Sequence, residues 1–257
     1  MKINRSIPFS LIVLSLALNA CAGAVEPTSH DTPHWTYEGE GGPAHWGELD
    51  TAYATCGTGQ EQSPVDIVAP STQDLTNISF HYQPSQLNIL NNGHTVQVNY
   101  DAGSYIELDD ARYDVLQFHY HAPSEHTVNG ESFPAELHIV HKNADGNLAV
   151  VGVLLKEGAE NSAYAPFLNN LPASETEAKN AGVTIDAAEL IPSVQTTYRY
   201  DGSLTTPPCS EGVKWLLMTT PVELSAEQLS TLGNLFEKNN RPVQPLGERM
   251  PVEDSTP

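Results

Sequence analysis

Short runs in which apolar and polar residues alternate, broken by Gly, Pro and Asn, dominate the chain. Examples are Thr95–Tyr100, Tyr105–Leu108, Val115–His121, Ala135–His141 and Leu148–Leu155. Alternation over four to eight residues places one set of side chains on each face of a strand, so these runs predict β-strands. Two stretches have helical spacing instead. Asn161–Leu171 is short and bounded by Pro172. Ser225 to Asn239 opens with Ser225-x-x-Gln228, the spacing of a capping box, and carries Leu229, Leu232, Leu235 and Phe236 on one face. That stripe is read as ordinary core packing. No internal repeat and no regular strand–helix alternation occur, which points to an all-β or α+β protein rather than a parallel α/β one. At 257 residues the chain is long enough for one large domain with a substantial core.

The N-terminus breaks this pattern. Lys2 and Arg5 precede an apolar run from Ile7 to Leu18, followed by Ala20-Cys21-Ala22-Gly23-Ala24. A basic segment, a short apolar segment and an A-x-A site describe a secretory signal peptide over residues 1–22. The run is too short for a transmembrane span. Leu18-Asn19-Ala20-Cys21 also partly resembles a lipoprotein signal, so a lipid anchor at Cys21 stands as the alternative to cleavage after Ala22 or Ala24. Residues 23–33 read as a linker, 34–250 as the folded domain and 251–257 as a disordered tail. Periplasmic or secreted localisation follows.

Charge narrows the partners. The net charge is −21. Loss of residues 1–22 removes two basic residues and no acid, leaving 9 basic against 32 acidic residues, or −23. Such a surface is repelled by phosphate backbones and anionic membranes, which argues against nucleic-acid binding.

The chemistry concentrates in one place. Five of the ten histidines fall between His119 and His141. On a strand, His119 and His121 share a face about 6.6 Å apart. If His138 comes from a neighbouring strand, three imidazoles converge. Three neutral imidazoles without cysteine suit zinc, and a three-ligand set leaves the fourth tetrahedral position open, as a catalytic site requires. Glu136 shares a strand face with His138, where it can orient that imidazole from behind.

Here a family becomes recognisable. Gln117–His126 and Ala135–His141 resemble the zinc-binding core of the α-class carbonic anhydrases. Trp35-Thr36-Tyr37, Gln62–Ile67, Leu90–His94, Tyr200–Cys209 and Asn240–Leu246 are similar to further elements of that family. The short connection from His121 to Glu125 is similar to the bacterial, secreted or periplasmic branch. The resemblance implies a mainly β, α+β domain around a large, mostly antiparallel twisted sheet with short peripheral helices. It implies reversible hydration of carbon dioxide to bicarbonate by zinc-bound hydroxide, with weak esterase activity alongside. The ligands would be His119, His121 and His138, backed by Gln117 and Glu136. The Thr205 hydroxyl would accept the hydroxide proton and donate its own to Glu125. Val140, Val150, Leu204, Val213 and Trp215, with Thr206, would form the substrate pocket. His94 would shuttle protons through water ordered by Tyr37, Asn92 and Gln97. Cys56 and Cys209 would form a disulfide, consistent with export. Some bacterial relatives are dimers, so a homodimer is left open.

Overall fold

In the computed structural model, residues 33–256 are described; the signal-peptide segment, Cys21 and the linker up to residue 32 lie outside them. Among the described residues a mixed 13-stranded sheet forms the body of the protein. Its centre joins Val96–Asn99, Ala111–His121, Ala135–Asn143 and Leu148–Glu157 by antiparallel pairing. Leu148–Glu157 then pairs in parallel with Glu211–Met218, which pairs antiparallel with Thr197–Ser203. The alternating runs are these strands, several of them extended by a few residues beyond the apolar pattern.

Alternation divides the sheet into two chemically different faces. Phe118, Tyr120, Leu137, Ile139, Val151, Val153, Leu216 and Met218 point into the main apolar core. Gln117, His119, His121, Glu136 and His138 occupy the intervening positions. Val140, Val150, Val213, Trp215 and Leu217 continue that second face as a smaller apolar cluster. Polar residues therefore line part of a buried face, and each needs a partner to offset its desolvation.

Helix is sparse, and shorter than the pattern suggests. Asn161–Leu171 resolves into a 3₁₀ turn, Ser162–Tyr164, and one α-turn, Ala165–Leu168. Downstream, the helix spans only Ala226–Gly233. Ser225 and Gln228 make both halves of a capping box, and Leu232 is buried while Leu229, Leu235 and Phe236 pack against the core. The helix stops at Gly233 and Asn234, and an irregular segment follows that brings Asn239 and Arg241 to buried positions.

The C-terminal tail is a correction to the sequence reading. Residues 251–256 are ordered rather than disordered. Val252–Asp254 pairs with Ser71–Gln73 on one side and Thr197–Ser203 on the other. Asp254 is buried and accepts from Arg199 Nη2 at 2.5 Å. A three-residue strand with one apolar residue, Val252, is too short to show an alternating pattern. Ladder hydrogen bonds and a buried ion pair hold it, and both come from residues far away in sequence.

Candidate active site

Three strands place the central side chains. The pairing registers set His138 opposite His119, Glu136 opposite His121, and Gln97 on the other side of His119. The three imidazole rings lie 4.7–5.3 Å apart between centroids. Each offers a nitrogen within 4.8 Å of the other two. His121 and His138 are buried and His119 partly so.

Which nitrogen each ring offers is decided by what holds the other. His119 Nδ1 bonds Gln117 Oε1 at 2.9 Å, leaving Nε2. His121 Nδ1 donates to the Asn239 carbonyl, and its buried Nε2 has no partner. His138 Nε2 donates to Glu136 Oε1 at 2.7 Å, leaving Nδ1. A backbone or carboxylate acceptor on one nitrogen fixes the tautomer and leaves a lone pair on the other. Burial lowers all three pKa values: His119 well below 6.5, His121 to about 4, and His138 below 6.5 against the opposing pull of Glu136. The rings are therefore neutral donors at physiological pH. An unpaired buried lone pair facing two others is costly unless something accepts all three, and a divalent ion does so.

A second cluster, His126, Glu136 and His138, also brings three donor atoms within 4.8 Å of one another. Its atoms are already spent on one another. Glu136 Oε2 accepts from the Glu125 and His126 amides, and Oε1 from His126 Nδ1 and His138 Nε2. Burial pulls Glu136 upward, but His126 and His138 outweigh it and hold the carboxyl well below the usual range. His126 Nε2 meets the Tyr200 hydroxyl, which also contacts Ser63. This is a closed hydrogen-bond network that braces the triad. Replacing Glu136 by Gln is expected to weaken metal affinity about 10–100-fold, because an amide cannot accept at both positions. Chelator competition measures it, and a change under threefold would show that Glu136 does not support the metal.

Glu125 stands to one side of the triad. Its Oε2 is 3.5 Å from His121 Nε2 and 3.9 Å from His138 Nδ1, and has no hydrogen-bond partner. Its Oε1 accepts from the Arg241 amide at 2.8 Å. Burial pushes its pKa up to about 7; His138, the Arg241 amide and the nearby Thr205 hydroxyl oppose that rise. Thr205 is itself buried, next to the partly buried Thr206. The Cys56–Cys209 disulfide is formed, and the Cys209 amide donates to the Thr206 carbonyl, tying it to the Thr205 loop.

The five apolar residues singled out from the sequence fall in one cluster: Val140, Val150, Val213 and Trp215 are buried, and Leu204 packs against them. The residues assigned to proton exit are less tightly assembled. His94 lies flat on Trp35, with ring centroids 3.6 Å apart at 9°. Asn92 Oδ1 caps the turn through the His94 and Thr95 amides, and Gln97 Nε2 donates to Asn99 Oδ1. The Tyr37 hydroxyl is buried without a partner, and burial, then Glu125, raises its pKa well above 10.

Two residues at the site carry no role in the sequence analysis, although both lie in segments named there. Asn239 bonds His121 through its carbonyl, Ala122 through Oδ1, and the His94 and Tyr120 carbonyls through Nδ2. Arg241 is buried, donating to Gln62 Oε1 and to the Ser63 and Cys56 carbonyls. Neither is near the histidines in sequence; Arg241 lies in the family-like element Asn240–Leu246 and Asn239 at the end of the helical stretch, and nothing local links either to the triad.

Comparison with known proteins agrees with this geometry. The family profile described as eukaryotic-type carbonic anhydrase matches residues 41–254. A carbonic anhydrase from Pectobacterium atrosepticum is 42% identical over 238 residues, covering 92% of this chain and 96% of that one. One from Nostoc sp. is 41% identical over 249 residues, covering 94% and 93%. The solved α-carbonic anhydrase of Thermovibrio ammonificans, in complex with sulfanilamide, superposes with a TM-score of 0.83 at 42% identity, covering 85% of this chain and 98% of that one. With a buried, metal-competent histidine triad set in a sheet of this topology and matches running nearly end to end, the chain belongs to the eukaryotic-type, or α-class, carbonic anhydrases, enzymes of carbon dioxide hydration.

Proposed function

We propose that this protein hydrates carbon dioxide reversibly to bicarbonate and a proton, using a zinc ion held by His119 Nε2, His121 Nε2 and His138 Nδ1. The observation that carries the reading is the convergence of three neutral nitrogens, each left free because its ring partner is pinned by Gln117, Asn239 or Glu136. An all-imidazole set without cysteine suits zinc, and three ligands leave a position open. A zinc ion there supplies Lewis acidity that brings the pKa of water to about 7, a value known for carbonic anhydrases themselves.

The chain's own residues do the rest. In its ionised form Glu125, already bonded to the Arg241 amide, is the acceptor for the nearby Thr205 hydroxyl, which turns the Thr205 oxygen lone pairs toward the reacting centre. Val140, Val150, Leu204, Val213 and Trp215 offer an apolar wall suited to a small nonpolar gas, with Thr206 at its edge. His94 takes up the released proton, through water near Tyr37, Asn92 and Gln97. Slow hydrolysis of activated esters follows from the same centre as a side activity.

Burial and the neighbouring His34 lower the His94 pKa below 6.5, against an opposing pull from Glu175. Only the neutral ring accepts a proton, so His94 stays competent to a lower pH than an unshifted histidine does. Turnover at low buffer is therefore expected to fall with an inflection below pH 6.5. His94→Ala should lower kcat at low buffer about tenfold or more and be rescued by imidazole. Unchanged turnover in that variant would remove His94 from the pathway.

Export to an oxidising compartment fits both the disulfide and the N-terminal pattern. The described residues contain no helix long and apolar enough to cross a membrane. The deciding experiment is stopped-flow carbon dioxide hydration on metal-assayed protein, with and without a zinc chelator and a sulfonamide. An active protein containing one zinc, blocked by both, supports the proposal. A zinc-loaded protein inert toward carbon dioxide would overturn it.

A further inference from the structure

The buried guanidinium of Arg241 has no direct counter-charge. It donates to Gln62 Oε1 at 2.9 Å, the Ser63 carbonyl at 2.8 Å and the Cys56 carbonyl at 2.9 Å, and all three acceptors are neutral. Among the described residues no carboxylate pairs with that guanidinium, and Glu125 takes the Arg241 amide rather than the side chain. A cation buried this deeply is costly unless a negative charge answers it.

One carboxylate stands a single amide away. The buried Gln62 side chain donates through Nε2 to Glu211 Oε1 at 3.0 Å and accepts through Oε1 from Arg241. Its dipole runs head to tail between anion and cation, and hydrogen bonds to charged groups are roughly twice as strong as neutral ones. Gln62 Nε2 also meets the Cys209 carbonyl at 3.1 Å, so turning the amide round would set N–H against the guanidinium. Glu211 is exposed, yet the same oxygen accepts from the Glu61 amide at 2.7 Å. Burial pulls its carboxyl upward, but Gln62, the Glu61 and Gln60 amides and Arg249 outweigh that and hold it below the usual range. Space is kept for this contact: a Cβ at Gly59 would fall 2.3 Å from Gln62 Nε2 and 2.4 Å from Glu211 Oε1. Arg249, the other cation nearby, is occupied by the Leu246, Asp201, Gln62 and Pro245 carbonyls.

We propose that Glu211 is a positioning residue for the hydration step: through the Gln62 amide it supplies the counter-charge of Arg241, and so holds the Arg241 amide on Glu125 Oε1. Arg241 carries both contacts, its guanidinium toward Gln62 and its N–H toward Glu125 at 2.8 Å. Pro242 restricts the Arg241 backbone to extended conformations, so a shift of the side chain passes to the amide. Glu125 then moves relative to the Thr205 hydroxyl. The role rests on the reading of Glu125 as the acceptor of that hydroxyl.

The test uses the zinc-loaded full protein at high buffer, where proton exit does not limit turnover, with variants Glu211→Gln, Glu211→Ala, Gln62→Met and Gln62→Met/Glu211→Gln. Glu211→Gln keeps an acceptor oxygen for the Glu61 amide and removes only the charge. It is expected to lower kcat and kcat/KM together by about threefold or more, with KM unchanged within about 1.5-fold and one zinc per chain retained. In the Gln62→Met background the same change should cost less than about 1.5-fold, because the bridge is already broken. The Gln62 side-chain amide protons, assigned by their loss in Gln62→Met, should shift upfield in Glu211→Gln as the charge-assisted bond weakens. Wild-type turnover in Glu211→Gln, with a loss confined to Glu211→Ala, would reduce Glu211 to a cap on the 59–62 turn and overturn the proposal. An equal loss in both backgrounds would also overturn it, since Glu211 would then act independently of Gln62. Should Gln62→Met not fold, Glu211→Gln against Glu211→Ala still decides. A zinc-loaded wild type inert toward carbon dioxide overturns the hydration reading and this one with it; an active wild type with a silent Glu211→Gln overturns this one alone.

Discussion

His121→Ala is expected to leave the protein folded, with zinc content far below one per chain and carbon dioxide hydration down at least about 10³-fold, a loss of roughly 4 kcal/mol of transition-state stabilisation. His121 supplies the one triad nitrogen that is both buried and unpartnered. Its removal leaves two imidazoles, too few to hold a catalytic ion against solvent. The ring is also the only link between the triad and the Asn239 carbonyl, so no neighbour can substitute. His126→Ala is the informative comparison. His126 belongs to the second cluster of closely placed donor atoms, together with Glu136 and His138. Were the metal held there, His126→Ala would lose it and His121→Ala would keep it. Elemental analysis and stopped-flow kinetics on both variants decide the matter.

The second large effect concerns stability. Cys56→Ala/Cys209→Ala removes a bridge closing a sequence separation of 153 residues. Loop-closure entropy for that length gives up to about 5 kcal/mol, which for a domain of this size corresponds to a fall in Tm of up to roughly 10–20 °C. The bridge also anchors function. Cys56 and Cys209 pack with Trp46 and Tyr53 in a small cluster, and the Cys56 carbonyl accepts from buried Arg241. Arg241 in turn gives its amide to Glu125. Loosening this corner should therefore lower activity near the new Tm before the sheet unfolds. Calorimetry with and without reductant measures the first effect; a Tm shift under 2 °C would show that the bridge contributes little.

Much of this protein follows from local rules. Residues two apart on a strand share a face, so His119 with His121, and Glu136 with His138, are paired by backbone geometry alone. Ser225 and Gln228 cap a helix wherever they fall at that spacing. The motif order also marks the family. Other features depend on contacts that no local pattern encodes. The free nitrogen of His121 is set by a carbonyl 118 residues away. Glu125 is shifted up to about 7 by burial, against the pull of His138 and of the Arg241 amide, which lies 116 residues away. The tail becomes a strand because Ser71–Gln73 and Arg199 wait for it. The ring of His94 lies against Trp35 only because folding brings the two segments together. Sequence by itself determined which residue types share a face and hence that a three-histidine metal centre could form. Tertiary structure decided which nitrogen each histidine presents and which way each buried carboxylate is shifted from its ordinary pKa. The reason is physical: side-chain direction is a property of the strand, whereas tautomer and pKa depend on partners brought close only by folding.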